Sequence, residues 1–256
     1  MQTRAALADT IDMQIVAFPQ SGLTCRPGTE ALMDAALREG ADIVGGIDPC
    51  AIERDPVRSL DALFALASRH SKPLDIHLHE PGEMGAFSLD LILERTASLG
   101  LQGKVVISHG FCLGAIAERD RDALLARMAR LDVSIATTAP ASSPVPLLAV
   151  CRAAGVTLFG GNDGIRDTWT PYARPDMLDR AMHIGLRNAL RRDDELAWAL
   201  ESVTDDAARG CGFAAYGLGV GCRADLVLLK AETVAEAVAA TPPRSLVVAG
   251  GVVVTA

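Results

Sequence analysis

Apolar and polar positions change period along the chain, and each change marks a new element. Ile11–Phe18 is an apolar run with strand character, closed by Pro19-Gln20-Ser21-Gly22. Thr29–Arg38 has helical spacing and stops at Gly40, and Ala41–Ile47 reads as the next strand. Pro56–His70 follows as a helix capped by Asp55; His70 falls in its last turn, where a cation suits the helix dipole, so it reads as structural. Leu74–Leu78 alternates as a strand should, and Pro81-Gly82 reads as the turn that stops it. Ser88–Gly100 has a Ser cap and a Gly stop, Lys104–His109 is a strand, and Glu118–Leu131 a helix. Val133–Thr137, the short helix Leu147–Ala154 and the strand Val156–Asp163 complete roughly six strand–helix repeats. Helices at Met177–Leu190 and Asp193–Ala208 come next. Beyond Gly212 the texture turns glycine-rich, with a strand at Leu226–Leu229 and a hairpin over Ser245–Thr255 turning at Gly250-Gly251.

Strictly alternating βα units imply a parallel sheet with helical crossovers. Within that series, Lys72–Glu83 (KPLDIHLHEPGE) holds the densest ligand chemistry. Side chains alternate along a strand, so Asp75, His77 and His79 share one face while Ile76 and Leu78 take the other. Two imidazoles and a carboxylate at a strand's C-terminal end suit a metal with an acid/base group beside it. Histidines hydrogen-bonded in a polar barrel mouth would show the same pattern. Gln20, His77 with Glu80, His109 and Asp163 each lie at or just past the end of an expected strand, the face on which a (β/α)₈ barrel builds its active site. A doubly wound sheet would also use strand ends, but no Gly-x-Gly-x-x-Gly follows the first strand. The fold expected is therefore α/β, a (β/α)₈ TIM-type barrel over residues 1–212, with a small β-rich element over 213–256.

Composition narrows the partners. The formal net charge is −8 with no basic cluster, which argues against nucleic acid. No apolar run approaches the roughly 18 residues of a membrane span, and no secretory h-region follows Met1. Six scattered cysteines without a Cys-x-x-Cys pair suit reduced thiols in a cytoplasmic protein. His183 reads as a packing residue and Ser142 and Ser143 as loop residues, while Cys112 could line the pocket but nothing marks it as a nucleophile.

The stretches IDMQIVAFPQSG, ADIVGGI, LDIHLHEPGE, VVISHG, FGGNDGIRDTW and GLGVGCRADLVLL are those of a known family. In them the chain resembles the amidohydrolase superfamily, and most closely its cytosine deaminase branch with the relatives that deaminate or dealkylate triazines. The resemblance implies a distorted barrel with one divalent metal ion, zinc or iron, at its mouth, and a small β-sandwich shared between the chain ends. It implies His77 and Asp163 as metal ligands, and Glu80, His109 and Asp163 as catalytic groups. Glu80 would move a proton to a ring nitrogen, His109 would orient the water, and Asp163 would accept its proton. Gln20 would hydrogen-bond the ring's amide-like edge and Trp169 would wall the substrate. A divalent metal lowers the pKa of its water from about 15.7 to about 7, so the expected reaction is attack of metal-bound hydroxide on the amine-bearing ring carbon of a small N-heterocycle.

The family's first-strand His-x-His is missing before Ile11, and about six βα units stand against eight. The chain therefore reads as an N-terminally truncated, incomplete barrel lacking its first two units, with only the C-terminal part of the sandwich. Three functions follow: a cytosine deaminase-like aminohydrolase, a triazine alkylamino-hydrolase, or a non-catalytic fragment. His79 could substitute for a missing ligand or mark a different substrate. Gly164, where cytosine deaminase has a second aspartate, weakens cytosine as the substrate; Arg166 and Asp167 suit either a pocket mouth or a loop salt bridge. The expected partner is a small heterocycle, with a homo-oligomer left open.

Overall fold

The computed structural model describes residues 1–172 and 174–255. In chain order its elements are α1 (Gln2–Ala6), β1 (Val16–Ala17), α2 (Thr29–Arg38), β2 (Ile43–Ile47), α3 (Pro56–His70) and β3 (Leu74–Leu78). Then come α4 (Gly82–Ser98), β4 (Val105–His109), a 3₁₀ turn at Phe111–Gly114, α5 (Glu118–Arg130), β5 (Ser134–Thr137) and α6 (Leu148–Ala153). The rest comprises β6 (Leu158–Gly160), α7 (Met177–Arg187), α8 (Asp193–Glu201), α9 (Asp205–Gly210), β7 (Leu226–Leu229), α10 (Val234–Ala240), β8 (Arg244–Ala249) and β9 (Val252–Thr255). The chain divides into two compact units, Gln14–Thr157 and Met1–Met13 with Leu158–Ala256.

In the Gln14–Thr157 unit, β1 to β5 lie side by side in chain order and every pair is parallel. The alternation read from the sequence is realised in β3: Leu74, Ile76 and Leu78 are buried, while Asp75 and His77 are half-buried on the other face. Phe64, Leu60 and Leu66 of α3, Leu89, Ile92 and Leu93 of α4, and Ile107 of β4 are almost completely buried with them. Each such side chain contributes about 1.5–3 kcal/mol by leaving water. β2 carries two glycines because its neighbours come close. A Cβ on Gly45 would sit 2.6 Å from the Phe18 ring, and one on Gly46 would sit 2.5 Å from Leu63 of α3.

The other unit holds β6, the helices α7 to α10 and a three-stranded antiparallel sheet of β7, β8 and β9. Asp176 caps α7 by accepting from the amides of Leu178 and Asp179, and also takes the Arg244 guanidinium of β8 at 2.6 Å.

Several boundaries differ from expectation. Only Val16–Ala17 of the apolar run before Pro19 joins the sheet. Asp193–Ala208 is two helices rather than one. The largest difference is at α4, which begins at Gly82 rather than Ser88. Pro81 is extended (φ −83°, ψ 158°) and serves as the N-cap, so the Pro-Gly pair starts a helix immediately after the strand instead of forming a free turn. Ser88 is thereby carried into the helix interior, fully buried. Among the described residues, no helix is long and apolar enough to cross a membrane.

Candidate metal centre

The C-terminal ends of β2, β3 and β4 are adjacent, with Ile47 opposite His77 and Leu78 opposite His109. That register brings His77, His79 and His109 together: one ligand-type atom from each lies within 4.8 Å of the others. Nε2 of His109 and Nδ1 of His77 are 3.3 Å apart, and the His79 and His109 rings lie 4.3 Å centroid to centroid, tilted by 30°. His77 is half-buried, His79 is 39% exposed at its side chain, and His109 is 5% exposed. Phe18 lies against His77 at 4.6 Å, and Phe111 against His109 at 5.3 Å.

Burial, and then the neighbouring His79 and His77 rings, push the pKa of His109 down to about 3. A neutral imidazole is the form that gives a lone pair to a metal or accepts a hydrogen bond from water. Three imidazole nitrogens gathered this closely fit a zinc- or iron-type ion, which nitrogen donors favour. Side chains at i and i+2 of an extended segment share a face, so His77 in β3 and His79 directly after it arrive together; His109 arrives through strand register.

Asp48, the residue directly after β2, was not singled out by the sequence reading. It is 5% exposed, and its carboxylate accepts from the His79 amide at 2.7 Å and meets His79 Nδ1 at 2.8 Å. The signal was present: a polar residue just past a strand end, as for the other candidates. Phe18 and Phe111 were likewise passed over as ordinary apolar residues. Asp48 (φ 33°) and His109 (φ 75°) both have positive φ, a conformation costing roughly 1–2 kcal/mol for a non-glycine residue and found disproportionately at functional sites.

Glu80 is 2% exposed. Its Oε1 accepts from the amides of Cys50 at 2.6 Å and Ala51 at 2.7 Å, and its Oε2 from the hydroxyl of Ser88. Gly85 leaves room for this arrangement, since a Cβ there would strike the Glu80 carbonyl oxygen at 2.1 Å. Gln20 is exposed in the loop after β1. That loop is held from below by Glu53, whose carboxylate accepts from the amides of Leu23, Thr24 and Cys25.

Asp163 and Trp169 belong to the other unit. Asp163 follows β6 with φ 56° and raises the pKa of Arg180, against the larger lowering effect of burial. Trp169 is 78% exposed. Its amide donates to Asp167 Oδ1 at 2.9 Å, and the amide of Thr170 donates to the same oxygen, so Asp167 closes its own loop.

Comparison with known proteins places this architecture. The sequence profile of the Amidohydrolase family matches residues 1–255. The structure of N-isopropylammelide isopropylaminohydrolase from Burkholderia multivorans ATCC 17616 is 64% identical, with a TM-score of 0.98 over 99% of this chain and 65% of that one. A curated relative, N-isopropylammelide isopropyl amidohydrolase of Pseudomonas sp. (strain ADP), is 30% identical over 98% of this chain and 62% of its own length. A 5-methylcytosine deaminase from Klebsiella pneumoniae is 27% identical, with a TM-score of 0.89 over 99% of this chain and 66% of that one. The chain thus spans a little under two-thirds of the length of the two N-isopropylammelide enzymes.

These likenesses correct the expectation of a cytosine deaminase-type chain in favour of the N-isopropylammelide enzymes. Identity stands at 64% to the N-isopropylammelide enzyme against 27% to the methylcytosine deaminase. The parallel sheet, the antiparallel sheet and these structural likenesses agree on a (β/α)₈-type barrel architecture with a separate small β element. The chain belongs to the amidohydrolase family.

Proposed function

We propose that this protein is a metal-dependent hydrolase that removes an alkylamino group from a ring carbon of a small triazine-type N-heterocycle. The observation carrying the proposal is the convergence of three imidazoles at adjoining strand ends, in a chain so close to an N-isopropylammelide isopropylaminohydrolase. His77, His79 and His109 are the residues that would hold a divalent ion. Such an ion supplies Lewis acidity and a lowered pKa for water.

The chain's own groups supply the rest. In the overall reaction a C–O bond forms at the ring carbon, the C–N bond breaks, and the amine must leave carrying a proton. Glu80 is suited to hold that proton at Oε2, which accepts only the Ser88 hydroxyl, whereas Oε1 accepts two backbone amides. His109, kept neutral by burial, keeps a lone pair to offer the ion. Gln20 can donate to and accept from one edge of the ring. The barrel-type portion to residue 212 carries these groups, with residues 213–256 forming a small accessory element.

The test is amine release. Zinc- and iron-loaded protein, with metal content measured on the same sample, is incubated with an alkylamino-triazine and with cytosine. Release of alkylamine from the triazine supports the proposal. No release from protein carrying stoichiometric metal refutes it.

A further inference from the structure

We propose that Asp48 is a positioning residue that locks His79 in one tautomer and aims its second nitrogen into the imidazole cluster. The inference deepens the metal-centre reading and rests on it for its consequence, but the lock itself is a separate physical claim.

Asp48 engages His79 twice. Oδ1 takes the backbone amide at 2.7 Å and Oδ2 meets ring Nδ1 at 2.8 Å. A carboxylate is an acceptor only, so the ring must place its proton on Nδ1 to make this bond. The lone pair of a neutral His79 then sits on Nε2. A buried carboxylate behind a histidine of this kind sets the tautomer, fixes the ring plane and raises the basicity of the other nitrogen.

Asp48 is in turn tied down. Its amide donates to the carbonyl of His77 at 3.0 Å, and its own carbonyl accepts from Ile52 at 3.0 Å and Glu53 at 3.2 Å. It holds this place with φ at 33°, a strained conformation that its surroundings maintain. The strand end before it and the strand bearing His77 and His79 are therefore coupled through one side chain. A carboxylate needed only for packing would not require contact with both the amide and the ring of the same residue.

The experiment is long-range ¹⁵N–¹H correlation NMR on metal-free protein with ¹⁵N-labelled histidine, at mildly alkaline pH. With five histidines, the His79 signals are assigned by a His79→Gln variant. The expected result is an Nδ1–H tautomer for His79. In Asp48→Asn, the new amide can donate to Nδ1, so the ring should switch to Nε2–H, and zinc affinity measured by competition should fall about 10- to 100-fold. A wild-type Nε2–H tautomer, or a tautomer unchanged in Asp48→Asn, overturns the inference, and the wild-type spectrum decides if the variant does not fold. If the Nδ1–H tautomer is found but the wild type takes up no zinc, the lock stands and the metal-centre reading falls.

Discussion

The unit Gln14–Thr157 contains the same pair of side chains twice, used in opposite ways. His79 meets Asp48 at 2.8 Å through Nδ1, and His70 meets Asp34 at 2.8 Å through Nε2. Around Asp34 stand Arg69 at 3.0 Å and Arg38 at 2.7 Å, so its carboxylate ties the last turn of α3 to α2 and faces an excess of positive charge. Around His79 stand two further imidazoles and the ring of Phe111, and Phe18 lies against His77. A His–Asp pair is therefore not a signature of function by itself. What differs is the company: arginines saturate one pair, whereas the other leads into a cluster of lone-pair donors.

The sharpest break between the two pairs should come from metal uptake. His77→Ala or His79→Ala should lower zinc affinity by at least about 100-fold, more than the loss of an outer partner, while His70→Ala leaves it unchanged. Competition titration against a chromophoric chelator measures both. Equal losses in all three variants would show that the cluster has no special role.

Next in size is the buried carboxylate of Glu80, the residue after His79. Glu80→Ala removes the acceptor of two amides and a buried hydroxyl, and should destabilise the fold by about 3 kcal/mol, measured by urea denaturation. Glu80→Gln keeps one acceptor oxygen and should lose about 1 kcal/mol while abolishing amine release. A fully active Glu80→Gln would remove Glu80 from proton transfer.

How much of this could be read from the residues alone follows from which forces were local. The strand bearing His77 and His79 was legible because alternation is a local rule, and so were the strand-end positions of His109 and Asp163. Helix α4 was misplaced because Pro-Gly was taken as a turn, although an extended Pro followed by Gly can equally open a helix. That error hid Ser88, whose partner Glu80 lies eight residues earlier and is reached only once the helix starts at Gly82. Asp48 was missed because its significance depends on a partner 31 residues away, through sheet register that no single strand displays. The branch was misjudged as well, and whole-chain identity, 64% against 27%, separates the two kinds of relative where the short motifs did not.

The smallest expected effect concerns the second pair. Hydrogen bonds first from His70 and then from Arg69 hold the Asp34 carboxyl below the usual carboxylate range. A carboxyl depressed on folding contributes stability that is present above its unfolded pKa of about 4 and is lost as pH falls through that value toward the folded one. Asp34→Asn should therefore lower Tm slightly at neutral pH, with the difference from wild type vanishing in acid and shrinking in high salt, because the surrounding arginines are largely exposed. His79 and its tautomer should be indifferent to the change. Thermal melts at several pH values, with the histidine spectrum recorded alongside, would test this. A shift in the His79 signals on Asp34→Asn would mean that α2 and α3 transmit strain to the imidazole cluster, and the two pairs would no longer be independent.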